Sequence, residues 1–92
     1  MSQAALLRAF DETIAAARRL EAGGRVEGAE LRRLLEELGA RRAMAAEGRG
    51  LDREWAGRTV RWVAGWLPES ELPLLARLGA IVRAADGKTE RR

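Results

Sequence analysis

Residues 55–85 carry two apolar helical repeats almost back to back, and that pairing limits the fold more than any other feature. Wound at about 100° per residue, Trp55 to Leu67 brings Trp55, Trp62 and Trp66 within roughly 40° of one another. Ala56, Thr59, Val60, Val63 and Leu67 widen this apolar arc past half the circumference. Glu54, Gly57, Arg58, Arg61 and Gly65 are left for solvent. So wide an arc predicts the central helix of a group, touched on two or three sides. Pro68 pushes Leu67 out of the α region and ends that helix. The next helix, Glu71 to Ala85, has the stripe Leu74, Leu75, Leu78, Ile81, Val82 and Ala85. Its opposite side carries Ala76, Gly79, Ala80 and Ala84, with Arg77 and Arg83 as its charges. A helix with so little polar face needs burial nearly all round, which predicts a central position or a second contact surface.

Two further helices precede these. Gln3 to Ala22 places Leu6, Leu7, Phe10, Ile14, Ala17 and Leu20 on one face, with Ser2 as N-cap and Gly23-Gly24 as its stop. A second helix starts near Glu27 or Gly28 with a narrow stripe of Leu31, Leu34, Leu35 and Leu38. Beyond Gly39 the pattern slips: Arg42 falls on the leucine side and Met44 falls away from it. The preferred reading is one helix with a weak point at Gly39; the alternative is a break and a short helix from Arg41 to Glu47. Gly48-Arg49-Gly50 marks a loop, and Asp52 is a candidate N-cap. Ser70 would cap the last helix, Pro73 would fit in its first turn, and Gly87 would stop it. No period-2 strand pattern is present. The expected fold is all-α: a small antiparallel bundle of four helices, five if the second breaks at Gly39. One helical domain would span 1–87, and 88–92 would form a basic tail.

Composition removes several classes of function. The chain has no Cys, His, Tyr or Asn, so thiolate and imidazole metal sites and the usual general base are missing. Ser2, Thr13, Thr59, Ser70 and Thr89 are the side-chain hydroxyls, and no base is placed to activate them. The pairs Asp11/Glu12 and Glu36/Glu37 lie among arginines on polar faces, and neighbours in a helix do not face each other. Gly48-Arg49-Gly50 lacks the Lys and Ser/Thr of a phosphate loop. The expectation is a protein that is not an enzyme, with no cofactor, metal or small-molecule substrate. The most apolar window, Trp62 to Val82, is interrupted by Pro68, Glu69, Glu71, Pro73 and Arg77, so no membrane span is expected. No signal peptide is expected either, and a cytoplasmic setting is the default for a cysteine-free chain. The shortage of amides and the many charges fit a thermophile or a high-GC genome equally.

The net charge is +3, and Lys88, Glu90, Arg91 and Arg92 supply +2 of it, leaving +1 for residues 1–87. The pI near 10.9 reflects arginine in place of lysine and histidine more than a basic surface. Two functional expectations follow. The surplus apolar surface points to a protein-interaction module that self-associates or docks on a partner through Trp62, Trp66, Leu74, Leu78, Ala80, Ile81 and Ala84. The alternative is a nucleic-acid accessory protein using Arg41, Arg42, Arg49, Arg53, Arg58 and Arg61, interleaved with Trp55 and Trp62. Trp55-Ala56-Gly57 resembles the Trp-x-Gly turn of small secreted helical-hairpin proteins. There the motif lies between two helices, whereas here it falls inside a predicted one.

Overall fold

Each helix of this chain buries an apolar face, and the four faces close on one shared core. The computed structural model describes residues 3–24, 28–49 and 53–89, with side chains to residue 84. The helices are α1 (Gln3–Gly23), α2 (Gly28–Ala46), α3 (Arg53–Trp66) and α4 (Leu72–Thr89). A 3-10 turn at Glu69–Glu71 leads into α4, and no strand occurs among the described residues. Leu6, Phe10, Leu31, Leu34, Leu38, Val63, Leu74, Leu78 and Ile81 form the core, at one-thirtieth exposure or less. The expected all-α bundle of four helices is what the chain forms.

Neighbouring helices run antiparallel. Gln3 Nε2, at the start of α1, donates to the Ala45 carbonyl at 2.7 Å and the Ala46 carbonyl at 3.2 Å, at the end of α2. These are carbonyls that a helix end leaves without intrahelical partners. Glu12 of α1 meets Arg77 of α4 at 3.3 Å, with Ala9 and Ala80 near the same level. The close helix pairs are α1/α2, α1/α4 and α3/α4. No Cα of α2 lies within 8 Å of a Cα of α3; that fourth side of the ring is closed by side chains. The tryptophan helix is therefore not the central element its arc suggested. α1 and α4 each have two close neighbours, while α3 has one and reaches across the wide side with Trp55 and Trp62.

Helix ends follow local chemistry. Gly24 takes φ +68° and donates to the Leu20 carbonyl, closing α1 with a left-handed residue. At the end of α2, Arg49 N donates to Met44 O and Gly48 N to Ala45 O, with Gly48 at φ +86°. That bond pair is a Schellman motif. α2 passes Gly39 unbroken, as preferred. Two expectations are corrected. Ser70 sits inside the 3-10 turn rather than capping α4; Pro68 is the N-cap of that turn, and Glu71 N donates to Pro68 O. Gly87 does not stop α4, which continues to Thr89; one glycine costs a helix only about 1 kcal/mol. Trp55-Ala56-Gly57 lies within α3 and makes no turn. The expected caps Ser2 and Asp52 and the tail residues 90–92 lie outside the described residues.

Candidate functional site

Two surfaces have the chemistry to recognise something. The first is the α1/α4 face. With its core directed along Leu74, Leu78, Ile81 and Ala84, α4 turns Leu72, Ala76, Gly79 and Arg83 outward by helical geometry. Leu72 is 53% exposed, the one large hydrophobic residue so exposed among those described. Beside this stripe a groove of about 350 Å³ is lined by Ala9, Glu12, Pro73, Ala76, Arg77 and Ala80. It continues into a second hollow that shares Pro73 and Arg77 and adds Ala16, Arg19, Leu20 and Glu71. The alanines bring the groove floor close to the two helix backbones. The charges in it are balanced, with Glu12 and Glu71 against Arg19 and Arg77.

The second surface is the seam between α2 and α3. On α2, Arg33, Glu37 and Arg41 succeed one another every fourth residue and face the tryptophans of α3. The Arg33 guanidinium lies 5.3 Å from the Trp62 ring centre and that of Arg41 lies 5.1 Å from Trp55. Between them, Trp55 donates its indole N–H to Glu37 Oε1 at 2.8 Å. Arg33 reaches the other Glu37 oxygen at 3.3 Å. The Trp55 hydrogen bond holds the Glu37 carboxyl below its ordinary range against the opposing effect of burial, and Arg33 and Arg41 reinforce it. Trp55 also stacks at 6.4 Å on Phe10 of α1. Trp62 packs edge-on against Trp66 at 5.3 Å. The Trp66 indole nitrogen is buried with no acceptor among the described residues.

The expected interface residues separate into two groups. Leu74, Leu78, Ile81 and Ala84 are consumed by the chain's own core. Trp62, Trp66 and Ala80 stay half-buried, Ala80 in the α1/α4 groove and Trp62 in the α2/α3 seam. The six arginines are not gathered into one patch. Arg42 turns toward α1 and grips Asp11 at 2.7 and 3.3 Å, which lowers the Asp11 pKa. Arg41, its neighbour, turns the other way onto Trp55. Arg49 pairs with Glu47 at 3.5 Å and Arg58 with Glu54 at 3.8 Å. Arg53 and Arg61 are exposed, Arg61 reaching back across Gly57.

The α2 ladder was not found by sequence reasoning, which treated Glu36/Glu37 as a solvated face. Its signal was the four-residue spacing of Arg33, Glu37 and Arg41 along one flank of the leucine stripe. Among the described residues, no helix is long and apolar enough to cross a membrane, and no three acidic side chains converge as metal ligands would. No protein-family model matches the chain, and no curated protein or solved structure matches it either.

Proposed function

We propose that the chain is a non-enzymatic helical interaction module that self-associates through its α1/α4 face. The observation that carries this reading is the outer side of α4, where Leu72, Ala76 and Gly79 occupy three turns that a solvent-facing helix gives to charge, with Arg83 as the charge of the fourth. Charge balance selects a second copy as the occupant. A two-fold interface presents the same patch twice, so each charge must find its opposite within that patch. Two carboxylates and two guanidiniums line the groove, and Glu12 and Arg77 already pair with each other, so the groove brings no net charge to repel a second copy. The size also fits. A stable interface takes about 800 Å² from each partner, and the chain offers a long face on a body of 43 × 21 × 17 Å.

Ala80→Arg tests the reading at a half-buried groove residue whose replacement fills the groove without touching the core. The expected result is loss of the assembled species in sedimentation velocity, with unchanged helicity by circular dichroism. A variant that assembles like the wild type would remove this face as the interface. The dispersal of Arg41, Arg42, Arg49, Arg53, Arg58 and Arg61 over several faces gives the nucleic-acid reading built on them less support.

A further inference from the structure

We propose that the cleft between α2 and α3 binds a nucleotide unit, with the base stacked on the Arg33–Trp62 pair and the phosphate held by Arg58. This surface is separate from the α1/α4 face, and the proposal does not depend on self-association. The cleft exists because α2 and α3 are held apart by side chains. It measures about 290 Å³ and is lined by Arg33, Glu37, Trp55, Arg58, Thr59 and Trp62. The Arg33 guanidinium already covers the Trp62 ring, and its side chain is 69% exposed, so it keeps an open face. A guanidinium plane stacked on an aromatic ring is a platform on which a base can lie, without regard to sequence.

The electrostatics of the cleft favour an anion at one end. Its one carboxylate, Glu37, is already engaged by the Trp55 N–H and by Arg33. Arg58 stands on the opposite wall, 60% exposed, in a long 3.8 Å contact with Glu54. Surface pairs of this kind hold weakly, whereas a phosphate can take two parallel guanidinium N–H donors on two of its oxygens. Thr59 follows Arg58 on the same α3 wall and is 5% exposed, so it shapes the cleft more than it offers a hydroxyl. An anion without a ring would use Arg58 alone, and an apolar ligand would use neither guanidinium. The sequence reading drew its arginines from residues 41–62 and left out Arg33, which α2 brings onto Trp62. The platform is assembled across two helices.

The test is an NMR titration at low salt that follows the indole N–H signals, using adenosine monophosphate, an eight-residue deoxyadenosine strand, adenosine and inorganic phosphate. The proposal expects saturable shifts of the Trp62 and Trp55 signals with both nucleotide probes. Adenosine and phosphate should each bind at least about tenfold more weakly. Arg58→Gln, at an exposed position, should weaken the monophosphate about tenfold, and Trp62→Leu should do the same. A strand bound at least tenfold more tightly than the monophosphate identifies a single-strand site, and equal affinities identify a free-nucleotide site. Phosphate matching the nucleotide, full affinity in Arg58→Gln, or no shift at all would overturn the proposal.

Discussion

Trp55 is the residue at which three helices meet. It belongs to α3, stacks on Phe10 of α1, and takes Glu37 and Arg41 of α2 on its nitrogen and its face. Its 4% exposure makes the Glu37 bond a buried one at the indole end. Replacing Glu37 by Leu removes that acceptor and should cost about 1–2 kcal/mol in urea unfolding. Glu37→Gln keeps an oxygen in place and should cost less. The sign of the pH dependence follows from the lowered pKa of Glu37. The stabilisation is fully present above the unfolded carboxylate value, 4.5, and is lost as pH falls through the lower folded value. The difference in stability between wild type and Glu37→Gln should therefore shrink on acidification below that value; a difference constant to the acid transition would contradict the assignment. None of this was readable from residue type. Glu37 was one of two adjacent carboxylates, and only the tertiary position of Trp55 distinguishes it from Glu36.

Element boundaries were more legible, because caps and glycines act through the backbone within a few residues. Gly24 and Gly48 end their helices with positive φ, and α3 ends at Trp66, two residues before Pro68. Where prediction missed, local rules had competitors. Ser70 lost the cap position because the chain entered α4 through a 3-10 turn. Gly87 was read as a stop, although a single glycine is a modest cost to an established helix. The slip after Gly39 also has its explanation here: Arg42 lies on the leucine side because Asp11 of α1 is there to receive it. Two substitutions separate the roles of glycine. Gly39 has no positive φ, and a Cβ there would meet nothing within 4 Å. Gly39→Ala should thus stabilise the fold by about 0.5–1 kcal/mol, raising the melting temperature. Gly48→Ala forces a side chain into the left-handed region and should destabilise by about 1 kcal/mol. Equal effects of the two would show that the helix end at Gly48 is not set by its conformation.

At the scale of the whole molecule, helix count and class were visible in the 3.6-residue periods, while the order of packing was not. Apolar arc width marked α3 as central, yet arc width measures how much a helix must cover rather than how many backbones approach it. Trp55 and Trp62 make α3 wide because they span the open side facing α2. The division of α4 into a leucine stripe and a side of small residues was visible in sequence, while the placing of Ala84 in the core and of Ala80 in a groove with α1 was not. That outer side, with the balanced groove beside it, is the basis of the self-association claim. Absolute mass by light scattering behind a sizing column, at moderate salt and over a range of loading concentrations, tests that claim directly. The account predicts a species of twice the 10.1 kDa chain, giving way to the single chain on dilution or with Ala80→Arg. A mass that stays at 10.1 kDa at every concentration would contradict it.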